Sequence, residues 1–430
     1  MLVVRAFLRL VAVLAAALAA GCSFLDVAKH SAAIEATCRI SGNVTTAKHA
    51  RAPIIVVLLR ETDAQPQTAA RWRVVDHFVM DHPGNWGFSV GDGRYAVSAF
   101  EDRNGDLQYQ PSEPHGTTDV GQPITCAGGG RFGGLAIAVT EAAAPFPQQM
   151  VLPGAAPRTL EEQTSYTLGQ LTAVGELASL TDERFSQAHV EDGVWRPFDF
   201  LFAARAGIYF LQPYDPRKVP VLFVHGMFGS PKNFAYLIEA LDKSRYQPWV
   251  YYYPSGVQLG RVADHLNQTM AKLEARHVLP RYAVVAYSMG GLVSRGFILR
   301  HARTSTAGLI PVFVTISSPW GGDPAARMGV SMAPAVVPVW RDMTPDSEYL
   351  KSLFARALPP ETRHSLMFTF DRNRALPGDS SDGTVTVASQ LWPQAQREAA
   401  RLYGFDDDHD KVLNDAQVAE TLKEILGRTF

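Results

Sequence analysis

The stretch "VVAYSMGG" at 284–291 carries a run of strand formers into Ser288, followed by Met289 and two glycines, Gly290 and Gly291. A serine at such a bend, where a buried strand stops and a helix starts, has its hydroxyl projected clear of the sheet. It also lies at a helix N-terminus, where unpaired N–H groups and the helix dipole favour negative charge. A nucleophile attacking a carbonyl needs both an accessible oxygen and positive potential for the oxyanion that forms. The blander reading of the same residues is a serine that caps a helix. A second bend of this kind lies upstream, where "VLFVHGMFGS" (221–230) ends a strand in His225-Gly226. A serine nucleophile also needs a base, and the base an orienting acid. The histidines and carboxylates at other strand ends are therefore the residues to weigh.

The elements that must position these residues begin at about 198. Strand-like runs ("FDFLFAAR", "GIYFL", "PVLFVHG", "PWVYYYP", "YAVVAYS", "PVFVTIS", "HSLMFTF", "AARLYGF") alternate with helical ones over 231–242, 259–277, 290–303, near 346–357 and over 412–427. Continuous apolar strands suit a parallel sheet buried on both faces, and the alternation predicts right-handed crossovers in a doubly wound α/β domain over 198–430. The short link between the first two runs predicts an opening antiparallel hairpin. Residues 36–141 read differently, as short strands separated by Gly, Asn, Asp and Pro, and predict a small antiparallel all-β sandwich. Through "YAVSAFEDRNGD" this segment loosely resembles transthyretin-like or carboxypeptidase-regulatory-like domains. Between the two, 142–197 reads as a Pro/Ala-rich linker and helical connector, with Thr159 and Glu162 as a capping box. Leu168, Leu171, Val174, Leu177 and Leu180 follow at near-helical spacing.

The segment Ala286-Tyr287-Ser288-Met289-Gly290 resembles the G-x-S-x-G nucleophile elbow of the α/β-hydrolases, with alanine in the first glycine's place. The resemblance covers about 200–430 and implies an α/β-hydrolase fold, a doubly wound, mostly parallel sheet. It implies an oxyanion hole made by the N–H groups of Met227 and Met289, on a loop supported by His225 and Gly226. His225 comes too early in the family's chain order to be the base. That order, Ser then Asp or Glu then His, selects Asp382 in "SSDGTVTVASQ" and His409 in "GFDDDHDKVL". Asp323 in "SSPWGGDP" is the rival acid, while His301 and His364 read as structural. Asp407, Asp408 and Asp410 beside His409 read as solvated loop charges, with a raised histidine pKa or a bound cation as the other accounts. "SSPWGG" leads into an apolar stretch with Met328, Met332 and Val336, which reads as a lid, an acyl-pocket wall or a plain packed helix. The motifs are most similar to those of bacterial lipases and GPI-inositol-deacylase-like hydrolases.

The N-terminal residues resemble a bacterial lipoprotein signal. Arg5 and Arg9 precede an apolar run over 10–20, too short for the roughly 20 residues of a membrane span. By that resemblance "LAAGCS" makes 1–21 a signal peptide, Cys22 the lipidated residue and 22–35 a tether, while an ordinary signal peptide with an incidental cysteine is the blander reading. Ser23 resembles an outer-membrane sorting pattern. The remaining Cys38 and Cys126 read as one disulfide of an exported protein, or as two buried thiols. "DRNGDLQYQPSE" offers Asp102, Asn104, Asp106 and Glu113 as oxygen ligands for Ca²⁺. Leu107 stands where an EF-hand needs glycine, so a polar turn is the favoured reading and no metal is expected. A net charge of −2 and 19% charged residues give no sign of nucleic-acid binding. The whole predicts a lipid-anchored serine hydrolase of acyl esters that needs no cofactor. An acyltransferase or thioesterase using the same residues and an idle, envelope-binding lipoprotein are the rivals. Oligomeric state is not legible.

Overall fold

A computed structural model describes residues 24–46, 52–62, 72–80, 83–104, 108–118, 122–141, 171–277, 279–305, 309–372 and 380–430. The signal segment with Cys22, the Thr159–Glu162 pair and Asp106 lie outside these residues. The described residues open with a helix over 24–35 (α1), where a tether was expected. Val27, His30 and Ile34 are buried along one side of it. Residue spacings of three and four put these on one face, which is why the segment docks as a helix.

Next come β1 (Cys38–Thr46), β2 (Ile54–Glu61), β3 (Trp72–Met80), β4 (Asn85–Val90), β5 (Gly93–Glu101), β6 (His115–Thr117), β7 (Ile124–Cys126) and β8 (Gly130–Val139). They form two facing sheets, β4-β1-β8 and β3-β2-β5-β6, with β7 also paired to β5. The β1–β8 pair is parallel, a departure from the all-antiparallel expectation. β2 is buried on both faces. Ile54, Val56 and Leu58 enter the core between the sheets, and Ile55, Val57 and Leu59 enter a second cluster behind it. The disulfide Cys38–Cys126 joins the two sheets.

The second unit contains β9 (Thr172–Leu177), α2 (Gln187–Trp195), α3 (Pro197–Ala203), β10 (Ala206–Phe210), β11 (Val219–Val224), α4 (Ala235–Ala240), β12 (Tyr246–Tyr252), α5 (Leu259–Arg276), β13 (Arg281–Tyr287), α6 (Met289–Thr304) and β14 (Leu309–Ile316). It continues with α7 (Pro324–Met332), α8 (Pro338–Met343), α9 (Glu348–Leu353), β15 (Arg363–Phe370), α10 (Val387–Gln390), α11 (Pro393–Glu398), β16 (Arg401–Asp406) and α12 (Ala416–Thr429). The eight strands form one sheet in the order β16-β15-β14-β13-β11-β12-β10-β9. From β12 to β16 every pairing is parallel, and β10 runs antiparallel to β12. Helices cover both faces, with α4 and α12 in one apolar cluster and α5, α6, α8 and α9 in the other. This is the doubly wound α/β-hydrolase arrangement.

Two elements of this unit differ from expectation. Leu171 to Leu177 had helical spacing, yet Thr172–Leu177 is an edge strand parallel to β10. Its β-branched Thr172 and Val174 suit a strand, Gly175 takes a φ of +74°, and the outward Leu177 stays exposed. Conversely "PFDFLFA" is a helix, α3, not a strand. Proline stands at its start, where no N–H is needed, and Phe198, Leu201 and Phe202 are buried at helical spacing. No opening hairpin therefore forms.

α5 joins the two units. Ala271 and Ala275 pack against the sandwich clusters, and the Lys272 ammonium lies 3.4 Å from the Asp76 carboxylate of β3, both buried. The disulfide closes a loop of 88 residues in the same unit. Replacing Cys126 by serine is expected to destabilise the sandwich by about 2–5 kcal/mol. Urea unfolding with and without reductant measures this, and an unchanged midpoint would contradict it.

Candidate active site

Ser288 follows β13 and begins α6 with φ +53° and ψ −130°, a conformation few side chains adopt. The strained elbow is held by close packing. The Ser288 N–H donates to the Ile316 carbonyl at 2.8 Å. A Cβ on Gly290 would stand 2.3 Å from the Val224 carbonyl and 2.5 Å from that of His225, and one on Gly291 would stand 2.2 Å from Ser318 Oγ. Glycine at 290 and 291 is therefore what lets β11 and the loop after β14 reach the start of α6. Gly226 answers the same need from the other side, because its Cβ would stand 2.8 Å from Ser288 Cβ.

His409 Nε2 lies 3.0 Å from Ser288 Oγ, and His409 Nδ1 lies 2.7 Å from Asp382 Oδ2. All three residues are buried. Asp382 follows β15, and His409 lies between β16 and α12. The sheet thus brings together three residues separated by 121 and 27 positions. Two main-chain contacts fix the histidine loop: His409 N–H donates to the Asp382 carbonyl, and the Tyr287 hydroxyl donates to the His409 carbonyl.

Asp382 is fully buried, which alone would raise its pKa. The bond and charge of His409, with hydrogen bonds from Val385 and Thr369, outweigh that and hold it below the usual carboxylate value. Its Oδ1 accepts from the Thr384 and Val385 N–H groups, and its Oδ2 from Thr369 Oγ1 and Gln390 Nε2 as well as His409. Gln390 also accepts from the Thr369 N–H, and Ser317 Oγ lies 2.7 Å from Thr369 Oγ1. Sequence reading missed Tyr287, Thr369 and Gln390. Only their nearness to the motifs marked them: Tyr287 adjoins the nucleophile, and Thr369 ends a strand before the acid loop.

Asp323, the rival acid, caps α7 by accepting from the Ala325 N–H. Burial raises its carboxyl, only partly offset by that bond and by the charge of His409. The two ring nitrogens of His409 are engaged by Asp382 and Ser288 instead. His301 is bound to Glu274, and His364 to Thr315 Oγ1. His265 bridges Thr172 and Tyr251 inside the core. His225 is also occupied: its Nδ1 lies 2.8 Å from the Gly226 carbonyl and its Nε2 accepts from the Tyr253 N–H. It stacks on Tyr253 at 4.2 Å, and burial lowers its pKa to about 4, so it is a neutral brace for the loop. Among the described residues the N–H groups of Met227 and Met289 donate to no protein acceptor.

Asp407 and Asp408 accept from neighbouring main-chain N–H groups, and Lys411 lies 3.8 Å from Asp408. In the sandwich turn, Glu113 accepts from the Arg103 and Gln110 N–H groups, and Asn104 donates to Gln110. The carboxylate thus closes the turn. No group of three or more His, Cys, Asp or Glu side chains suited to a metal occurs among the described residues. Met328 and Met332 face solvent from α7, of which only Ala326 is fully buried. A cavity of about 610 Å³ lies at the junction of the two units, bordered by Arg39, Arg131, Arg261 and Tyr253. Ser288 does not line it.

No protein-family model and no curated protein sequence matches the chain. Among solved structures, about half of it is similar to lipase BlEst2 of Bacillus licheniformis, with 17% identity over 51% of this chain and 97% of that one, at a TM-score of 0.40. A monoacylglycerol lipase of Paleococcus ferrophilus matches at 11% identity over 51% and 97%, with a TM-score of 0.38. The thioesterase domain NocB of the nocardicin cluster matches at 16% identity over 51% and 98%, with a TM-score of 0.34. The fold assignment rests on the strand order and directions given above.

A Gly290→Ala substitution should cost at least about 1–3 kcal/mol by overpacking the elbow against two carbonyls. Urea unfolding tests this, and full stability would show that the elbow has room. The depressed pKa of Asp382 sets a second expectation. Its ionisation stabilises the fold fully above the unfolded carboxyl value near 3.9, and that contribution is lost as pH falls through the lower folded value. The stability gap between wild type and Asp382→Asn should therefore narrow below about pH 4. A gap constant from pH 7 to 3 would contradict it.

Proposed function

We propose that the protein is a serine hydrolase of carboxylic esters, exported and held in the bacterial cell envelope by lipid on Cys22, with the outer membrane as its location. One observation carries the catalytic reading: the unbroken chain from Ser288 Oγ through His409 to Asp382, at a strained elbow beside two unpartnered backbone N–H groups. In this reading His409 Nε2 takes the proton of Ser288 as Oγ attacks the ester carbonyl. Asp382 holds the imidazole with its Nδ1–H inward and stabilises the imidazolium. The Met227 and Met289 N–H groups receive the oxyanion, each worth about 2.7–4 kcal/mol at the transition state. Collapse expels the alcohol, which takes the proton from His409. Water activated by His409 then releases the acid and restores Ser288. No step calls for a metal or cofactor.

The buried donors around Asp382 support its role as the acid over Asp323, whose carboxylate caps a helix. The disulfide supports export, since such bonds persist in oxidising compartments. Steady-state hydrolysis of a p-nitrophenyl ester series tests the assignment. Ser288→Ala and His409→Ala should lose nearly all turnover, and Asp382→Asn about 10⁴-fold in kcat, while Asp323→Asn should lose less than tenfold. A larger loss in Asp323→Asn than in Asp382→Asn would move the acid role. Full activity in Ser288→Ala would end the proposal.

A further inference from the structure

The described chain starts at Phe24, whose ring stands edge-on to Trp195 at 6.4 Å, where α2 ends. Trp195 in turn meets Phe228 of the loop after β11 at 6.1 Å, and stands edge-on to Trp340 of α8 at 6.4 Å. α7 rests on Trp340 so closely that a Cβ on Gly329 would come 2.8 Å from the indole. One aromatic platform thus runs from the first turn of α1, past the loop beside Ser288, to α7. Four of the eight large hydrophobic side chains that stand exposed among the described residues lie along it: Leu25, Phe228, Met328 and Met332. Scattered exposed hydrophobics are ordinary, but a contiguous set marks an interaction surface.

α1 cannot swing this end of the chain elsewhere. Val27, His30 and Ile34 are buried, and His30 Nδ1 accepts from the Phe198 N–H. Cys22 precedes Phe24 by two residues, a reach of at most about 7 Å. An acyl chain on Cys22 would therefore enter lipid beside Phe24, at the end of the platform that also carries Phe228 of the loop beside Ser288. We propose that the face formed by Leu25, Phe228, Met328 and Met332 docks on the lipid bilayer. α1 then holds the chain's anchored end and the loop beside Ser288 against the same membrane, and the substrates are esters whose acyl chains lie in that membrane. The inference rests on the ester-hydrolase and lipid-anchor readings above.

The full chain, extracted in detergent and reconstituted on phosphatidylethanolamine/phosphatidylglycerol vesicles, tests it. An environment-sensitive fluorophore is placed on Met332→Cys. Leu309→Cys is the control, since exposed Leu309 starts β14, at the opposite end of the parallel strands from Ser288, which follows the end of β13. Labelling of the introduced thiol alone is checked by peptide mass. Lipids bearing a shallow nitroxide should quench the label at 332 and leave that at 309 unchanged. Equal quenching at both, or none at 332, overturns the proposal, as does quenching at 332 only through a dimer formed without vesicles. In a second arm, Met328→Gln/Met332→Gln should lower hydrolysis of a vesicle-embedded long-chain ester at least tenfold and leave hydrolysis of a soluble short-chain ester unchanged. Equal loss on both substrates overturns the docking role. If wild type hydrolyses neither ester, the ester-hydrolase reading fails, while quenching still decides docking.

Discussion

Everything at the site depends on how closely the β11 loop passes over the start of α6. That passage leaves no room for side chains at 226 or 290, and the loop after β14 leaves none at 291. It also forces Ser288 into a left-handed φ that the sheet must hold in place. The strain is sustained by regular structure: β13 lies between β11 and β14, and the Ser288 N–H is tied to Ile316 at the end of β14. At the same place the Met227 and Met289 N–H groups donate to no protein acceptor. Strain, unpaired donors and the nucleophile's hydroxyl thus meet at one tightly packed bend.

A second constraint is the burial of Asp382. A carboxylate out of water is tolerable only where hydrogen bonds replace its hydration. Here two backbone N–H groups, a threonine, a glutamine and the histidine supply them. Because each donor approaches from a fixed direction, the carboxylate has one orientation, and so has the imidazole that it holds. Tyr287 adds a link from the residue before the nucleophile to the main chain of the histidine loop. Relative motion of the two loops is thus restrained at side chain and backbone alike.

The sheet was largely legible in the chain, since strands such as "VLFV" and "AVVA" are buried on both faces and lie between recognisable helices. Ser288 stood out because a strand former run stops there at small residues, and chain order led to Asp382 and His409. What stayed hidden has physical reasons. Thr172–Leu177 carries apolar residues at a spacing that fits helix or strand, and pairing with β10 decides it. "PFDFLFA" is apolar enough for a buried strand, and its proline start was the only cue for a helix. Thr369 and Gln390 are ordinary polar residues whose role comes from converging on one buried carboxylate. The helix over 24–35 was hidden because its buried face is set by the α/β domain it docks on.

The most direct test of the central claim is the mass of the intact protein after brief exposure to a fluorophosphonate, followed by peptide mapping of the adduct. The account predicts one adduct, on the peptide that contains Ser288, formed rapidly in wild type and strongly slowed in His409→Ala. A folded wild-type protein that forms no adduct, or forms it on another residue, would contradict the account.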